Sequence, residues 1–507
     1  MKIRCLTVFI LCVAASATSF VSAVDFVVDG LNYVKNADGQ SVTLCGYVED
    51  PTQLIIPPEV TDGGVTYAVT TIGENAFYCC RSLTSVTIPN SVTAFGKQAL
   101  HACTGLTSLT IPNSVISIGE DALSGCNGLT SINVTSGNPK FDSRDDCNAV
   151  IETASNTLIV GCKNTIIPIS VTIIGRGAFY GCYGLKNFVI PNSVTTIGVS
   201  AFYCCDSLTS VVIPNSVVTI GNNAFAHCIA LPSIDIPNSV TTISSGAFAN
   251  CWSLTSIDIP NSVTAIGNNA FIGCTFLASV TIPNSVSFIG YYAFDGTAWY
   301  NNQPNGLVYA GLVAYKYKGA MPSGTSIDIQ EGTKGIAESA FNRCGGLTAV
   351  NIPNSVAIIG EQAFANCVNL PTVKIPSSVT FIGNYTFAYC KKLSRIEAYP
   401  DPANVVLGNS VFYAVPKDNT LHVLPEYLEA YQNAEQWKDF QNILGDLSQP
   451  LLNADLNGDG SVDISDVNLV INMMLGKDSS DNGDITGDGQ VDISDVNMVI
   501  NAMLGKE

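Results

Sequence analysis

The sequence predicts a β-rich solenoid of 23-residue coils, followed by a small helical module built on two similar acidic loops. Three observations predict it. The Phe of a recurrent Ala-Phe pair falls at Phe179, Phe202, Phe225, Phe248, Phe271 and Phe294, and resumes at Phe341, Phe364 and Phe387, each step being 23 residues. Upstream, Phe77, Leu100 and Leu123 keep the same step. A proline-ended alternating run, as in SVTIP, recurs with that period, and two twelve-residue loops rich in Asp lie 29 residues apart after residue 450. A fixed period in this range marks a solenoid, because one unit cannot bury its apolar face without a stacked neighbour.

Within each unit the residues divide the work. In SVTIP, Val86 and Ile88 alternate with Ser85 and Thr87, the period-2 pattern of a short strand. Pro89 lacks a backbone donor and ends it. Ile220-Gly221 closes a second apolar stretch with a residue suited to left-handed geometry. The spacing from Ala-Phe to the Cys three residues on suits one helical turn. Val, Ile, Ala, Phe, Cys and Leu are then buried, Asn, Ser and Thr sit at corners, and the coil is of leucine-rich-repeat type. The repeated Asn90, Asn113, Asn192, Asn215, Asn238, Asn261 and Asn284 read as stacked amides that satisfy turn backbone. The strand column two residues before each Pro (Thr87, Thr110, Val189, Val212, Asp235, Asp258, Thr281, Asn351 and Lys374) is expected to form a long polar sheet, the recognition face of a solenoid.

Along the chain, residues 1–23 read as a secretory signal: Lys2 and Arg4, an apolar core, then SFVSA with a cut after Ala23. The apolar core is too short to remain as a membrane span, and Cys12 lacks the small residues of a lipidation site. Residues 24–70 read as an N-terminal β cap and residues 71–395 as the repeats. Irregular inserts fall near residues 138–164, expected as strand-turn-strand, and 297–322, whose aromatics are expected to fill the core of two degenerate coils. Residues 396–447 read as a C-terminal cap, with Leu428, Tyr431 and Trp437 at helical spacing, and residues 448–507 as the final module.

The net charge of −19 is uneven, with twelve acids against two lysines from residue 446 onward. No basic patch is present to neutralise phosphates, which argues against nucleic acid as a partner. Most cysteines occupy one column of the repeat (Cys80, Cys103, Cys126, Cys182, Cys205, Cys228, Cys251, Cys274, Cys344, Cys367 and Cys390). Stacked coils hold such side chains parallel, which is poor bridging geometry, so free buried thiols are expected. Cys147 and Cys162 lie outside the column and are the better disulfide candidates. His101, His227 and His422 complete no zinc spacing. The motifs of serine hydrolases, zinc proteases and phosphate-binding loops are lacking, so no enzyme is expected; the acids of the first insert, Asp142 to Asp146, are the one place left for a catalytic pair.

The sharpest chemistry is in DLNGDGSVDISD and DITGDGQVDISD. A hard cation such as Ca²⁺ takes six or more oxygens, and acids at alternate loop positions with a final acid supply them. The candidate ligands are Asp455, Asn457, Asp459, the Ser461 carbonyl, Asp463 and Asp466 in the first loop. In the second they are Asp484, Thr486, Asp488, the Gln490 carbonyl, Asp492 and Asp495. Two Ca²⁺ ions are therefore expected. Gly460 and Gly489 fall where the loop must turn sharply. A helix is expected after each loop, with Val467, Val470, Ile471 and Met474, then Val496, Val499, Ile500 and Met503, on the apolar face.

The units IPNSVTxIGxxAFxxCxxL resemble the BspA-like leucine-rich repeats of secreted and surface proteins of Gram-negative oral and gut bacteria. That resemblance implies a non-enzymatic, extracellular binding role, often adhesive, toward an unidentified protein or glycan of host or bacterial origin. The duplicated loop–helix is similar to a type I dockerin, which implies docking to a cohesin-like partner through Ile464-Ser465 and Ile493-Ser494 at loop positions ten and eleven. Cellulosomal dockerins often carry Ser-Thr there, and this pair departs from that. The two near-identical copies imply two equivalent docking orientations. The rival reading is a non-catalytic accessory of an extracellular polysaccharide-degrading complex.

Overall fold

A computed structural model describes residues 24–448, 456–457, 462–477, 483–485 and 490–503. The expected signal, residues 1–23, lies outside the described residues. The chain divides into two compact units: Met1–Ala320 with Gly332–Phe341 and Ala357–Ala363, and Met321–Glu331 with Asn342–Val356 and Phe364–Glu507.

In the first unit the chain opens with strands β1 (Phe26–Val28), β2 (Leu31–Lys35) and β3 (Ser41–Tyr47), then β4 (Gln53–Ile55), β5 (Glu59–Asp62), β6 (Val65–Ile72), β7 (Ser85–Thr87) and β8 (Ala94–Phe95). The coils then contribute two parallel ladders. One starts on the cap, in the order β1-β2-β3-β6-β8 and Ser117–Ile118. The other is built from the strands that precede each proline: Gln53 pairs with Ser85, Asn187 with Ser210 and Ser256 with Ser279. The last two pairs show the coil's repeat in register.

Between the ladders the Phe side chains stack. Rings of Phe179, Phe202, Phe225, Phe248, Phe271 and Phe294 follow one another at centroid spacings of 5.1, 5.1, 5.7, 5.5 and 5.4 Å, tilted by no more than 13°. Each of these rings is fully buried, and each such burial is worth about 1.5–3 kcal/mol. The second unit repeats the pattern with Phe364, Phe387 and Phe412 at 5.5 and 5.7 Å. Its second ladder holds Thr372–Ile375, Arg395–Ala398, Thr420–Val423 and Asn442–Gly445 side by side.

The expected helical turn around Ala-Phe does not form. Around Phe225, the amides of Asn223, Phe225 and His227 reach sideways to the carbonyls of Ser245, Ala247 and Ala249, at 2.9, 2.8 and 2.7 Å. The amides between them close tight turns, Ala224 to Gly221 and Ala226 to Asn223, both at 3.1 Å. A helix would direct every amide along its axis. Here alternate amides bind the next coil, and Asn223 and His227 adopt φ of 56° and 59° to allow it. The same left-handed pair flanks Leu100 (Gln98 and Ala102), Phe202 (Ser200 and Cys204) and Phe387 (Tyr385 and Tyr389).

Gly221 also works differently from expectation. It is not a left-handed residue; a Cβ there would lie 2.7 Å from the Gly198 carbonyl carbon and the Val199 nitrogen. Glycine permits adjacent coils to touch backbone to backbone at this corner. The Asn column is exposed, and the bond that ties turn to turn comes from the serine after it. The hydroxyls of Ser216, Ser239, Ser262 and Ser285 donate to the carbonyls of Val194, Val217, Val240 and Val263 at 2.5–2.7 Å. A hydroxyl one bond from Cβ stays in the turn, where a longer amide projects to solvent.

All the cysteines of the column are free and buried. Cys147 and Cys162 are free as well, which corrects the disulfide expected between them: the Cys162 thiol faces the Asn148 carbonyl at 3.6 Å and the Cys147 thiol the Ala149 carbonyl at 3.9 Å. The first insert forms the antiparallel hairpin Ala149–Glu152 with Thr157–Gly161. The second carries a short helix, Ala298–Asn301, and the hairpin Gly306–Ala310 with Val313–Lys318. Its Tyr315 is buried, and Trp299 and Tyr300 pack on the same core. In the C-terminal region Tyr431 and Trp437 are buried, although the helix there covers only Leu428–Asn433.

Candidate functional site

The final module is described through its two helices, Ile464–Met474 and Ile493–Met503, and the residues that lead into them. Of the predicted ligands, Asp455, Asp459, Ser461, Thr486 and Asp488, with Gly460 and Gly489, lie outside the described residues. Asn457, Asp463, Asp466, Asp484, Gln490, Asp492 and Asp495 are described.

The two copies share one geometry. Asp466 is completely buried; its Oδ1 accepts from the Leu456 and Asn457 amides at 2.7 and 3.0 Å, and its Oδ2 from the Asp463 amide at 2.9 Å. Asp495, also completely buried, accepts from Ile485 at 2.7 Å and Asp492 at 2.8 Å. The last acid of each loop thus ties the loop's beginning to the start of its helix. Asp463 caps the first helix, its Oδ1 taking the Ser465 amide at 2.7 Å and hydroxyl at 2.6 Å, and Asp492 takes the Ser494 amide at 2.7 Å. With Asp466 reaching back to the Asp463 amide, the first helix starts in a capping box. Burial pushes the Asp466 carboxyl up, but the Asp463, Asn457 and Leu456 amides together outweigh it and hold it below the ordinary carboxylate range.

A buried carboxylate held by backbone amides is compatible with a hard cation, which takes oxygen ligands and supplies a countercharge. The donor set of Asp466, Asp463 and Asn457 fits such an ion. When bound, it would neutralise the loop acids and fix the loop against its helix. Among the described residues no three acidic, His or Cys side chains gather at one point.

The helices meet through Val467, Val470, Val496 and Val499, with Ile485 between them and Ile471, Ile500 and Met503 partly buried around them. Met474, expected on the same face, is 38% exposed. That face leaves the predicted docking positions outward: Ile464 is 62% and Ile493 60% exposed, Ser494 is exposed and Ser465 half-buried. Two apolar side chains at equivalent exposed positions can make the same contact from either copy.

On the solenoid, the expected strand column is exposed apart from Lys374, which is half-buried with its ammonium 4.8 Å from the Tyr399 ring centroid. The column is not uniformly polar, since Val189 and Val212, paired across adjacent coils, are 71% and 56% exposed. Nothing in the period distinguished them, because the face is set by alternation and not by residue type. A feature not foreseen lies in the second unit, where His422 accepts or donates between the Arg395 guanidinium at 2.9 Å and Asp446 at 2.8 Å. In the first insert Asp142 is bound to Arg144 at 2.6 Å, and that guanidinium also reaches Asn156. This places Asp142 in a clamp on the hairpin. No helix among the described residues is long and apolar enough to cross a membrane.

The family model for the BspA type leucine rich repeat region matches residues 64–145, 159–251, 195–302 and 314–431, in six copies. That for the dockerin type I domain matches residues 453–504. Among solved structures, the chain is similar to a leucine-rich repeat protein from Bacteroides ovatus, with 28% identity over 83% of this chain and 99% of that one and a TM-score of 0.32. A leucine rich cell surface protein from Faecalibacterium prausnitzii matches at 24% identity over 85% and 97%, with a TM-score of 0.31. The leucine rich repeat protein of T. pallidum matches at 23% identity over 54% and 89%, with a TM-score of 0.21. No curated protein matches the sequence.

Proposed function

Because the chain belongs to the BspA type leucine-rich repeat family and carries a C-terminal dockerin type I domain, we propose that it is a secreted or cell-surface binding protein. Its repeats, residues 71–395, engage a host or bacterial ligand, and residues 448–507 dock it to a cohesin-like partner. The observation that carries this reading is the duplicated loop–helix, each copy with a buried terminal Asp and an exposed Ile beside it. In this reading two Ca²⁺ ions occupy the loops, one held by Asp455, Asn457, Asp459, Ser461, Asp463 and Asp466. The other is held by Asp484, Thr486, Asp488, Gln490, Asp492 and Asp495. Partner contacts fall on Ile464, Ser465, Ile493 and Ser494. Recognition modules of both kinds act by presenting surfaces, and no catalytic role is assigned.

The test is binding of the chain to a panel of cohesin domains, with calcium and with chelator. Calcium-dependent capture by one cohesin, lost only when Ile464 and Ile493 are both replaced by Asp, supports docking through equivalent copies. Calcium uptake without capture by any cohesin removes the docking role and leaves an adhesin with a calcium-stabilised tail. Binding of plant or mucin glycans by the solenoid would instead favour an accessory of a polysaccharide-degrading complex, a reading that the dockerin domain also accommodates.

A further inference from the structure

The N-terminal cap covers one ladder of the first unit and leaves the other open. Strands β1, β2 and β3 extend the sheet of β6 and β8, whereas β4, the first strand of the second ladder, pairs among the described residues only with β7. Thr52 accepts from the Thr84 amide at 2.8 Å and Ile56 donates to the Thr87 carbonyl at 3.1 Å. These two residues therefore face β7, as by alternation does Leu54, and the backbone groups of Gln53 and Ile55 point the other way. Such an edge accepts another strand.

Beside this edge lies a groove of about 520 Å³, walled by the Val28–Leu31 turn and by Val48 and Glu49, a size typical of ligand clefts, roughly 300–1,000 Å³. Two features of its lining point to an occupant. Ile55 and Val48 are 75% and 63% exposed, apolar side chains on either side of an open edge. The Tyr33 ring is completely buried, and its hydroxyl has no hydrogen-bond partner, which is costly for a buried polar group. Asp29 and Glu49 stand exposed on the rim, so the opening is acidic.

We propose that this groove docks an extended peptide segment by strand addition to β4, the segment alternating apolar residues with lysine or arginine. Its backbone pairs with Gln53 and Ile55, its apolar side chains cover Ile55 and Val48, and its cations meet Asp29 and Glu49. The Tyr33 hydroxyl gains a partner from the segment or from a water it traps. Strand addition takes affinity from main-chain bonds and selectivity from alternate side chains, which matches an open edge flanked by an acidic rim. Ile55 pairs with Thr87 and so extends the strand column by one coil at its N-terminal end.

The experiment uses residues 24–507 and a fluorescein-labelled acetylated peptide of alternating Val and Lys, seven residues long, with the Val/Glu counterpart as control. Binding is read by anisotropy at two salt concentrations, and amide protection by hydrogen exchange. The expected result is saturable binding of the Lys peptide, at least tenfold weaker binding of the Glu peptide, and new protection at Gln53 and Ile55. Ile55→Pro removes an amide that does not pair with β7 and should weaken binding at least tenfold with the far-ultraviolet spectrum unchanged. Asp29→Lys with Glu49→Lys, both at exposed positions, should reverse the preference between the peptides even if the proline variant misfolds. Lys-peptide binding that survives both variants, or protection that appears elsewhere, overturns the proposal. So does a concentration-dependent dimer abolished by Ile55→Pro, which would seat a second copy on the edge.

Discussion

The Cys251 thiol donates to the carbonyl of Phe225 at 3.2 Å, joining one coil to the Phe of the coil before. The same bond joins Cys228 to Phe202 at 3.3 Å, Cys274 to Phe248 at 3.0 Å and, in the second unit, Cys390 to Phe364 at 3.2 Å. The column is thus a row of weak donors as well as a row of small apolar side chains. Cys251→Ala leaves a void and removes one of two donors to a buried carbonyl, which keeps the Cys228 amide at 3.2 Å. It should lower stability by about 1–3 kcal/mol, read as a lower urea midpoint.

Thiol accessibility follows from the same packing. Only Cys45 and Cys79 are half-buried; the remaining cysteines of residues 24–507 are buried. Burial pushes the Cys228, Cys367 and Cys390 thiols well above their usual range, with Cys390 at about 12, so the reactive thiolate is suppressed. Brief alkylation of the native chain should add at most two labels, at Cys45 and Cys79. Mass spectrometry that finds column cysteines labelled before unfolding would contradict this packing.

Ser339 sits at φ 57° in the left-handed position that Gly246 fills at 63° in another coil, and its buried hydroxyl has no partner. Ser339→Gly relieves both costs. The gain should be about 1–2 kcal/mol, seen as a higher urea midpoint; an unchanged or lower midpoint would mean the hydroxyl is held after all.

Asp206 has a buried carboxylate oxygen without a partner, and burial raises its carboxyl from 3.8 to about 6. The folded state holds this proton more tightly than the unfolded state. Its favourable contribution is complete below pH 4 and is lost as pH rises through 6. Asp206→Asn removes the dependence. It should leave melting nearly unchanged at pH 4 and raise stability by about 1–2 kcal/mol at pH 7, allowing for partial solvent screening.

Asp466→Asn keeps the shape of the buried side chain and removes its charge. It should weaken calcium binding by the first loop about tenfold or more, near 1.4 kcal/mol, in a calorimetric titration, leaving the Asp495 loop as an internal control. Since Asp466 is held below the ordinary carboxylate range, its contribution is present above that range and lost as pH falls through its lowered value. Chelator should reduce the helical signal of the native module, and a spectrum indifferent to chelator would speak against calcium as the ion.

The period, the Phe stack, the buried cysteines and the two loops were legible because each depends on residue type at a fixed spacing. The left-handed pairs were not. Asn223 and His227, Tyr385 and Tyr389, Ser200 and Cys204 fill them, and no shared chemistry announces the site. Sideways hydrogen bonding imposes that geometry on whichever residue stands there. The Ile-Gly corner was visible as a glycine, but the reason for it, the approach of Gly198 to Gly221, belongs to a neighbour one coil away. At the loops, alternation of oxygen-bearing residues named the candidate ligands. That Asp466 and Asp495 also tie each loop shut depends on burial that spacing alone does not encode.

The backbone contact between Gly198 and Gly221 fixes the pitch of the coil independently of which side chains decorate it. Length can therefore change by copying or deleting whole 23-residue segments, since the glycine corner recurs at Gly175, Gly198, Gly221, Gly267 and Gly290, with Ser244 taking its place in one coil. A gene of this kind can vary its number of units by unequal recombination between near-identical stretches and still encode a folded product. Solenoid length would then be heritable as copy number, and strains should differ by integral units in the regular stretch around Phe225 while the hairpin inserts stay single.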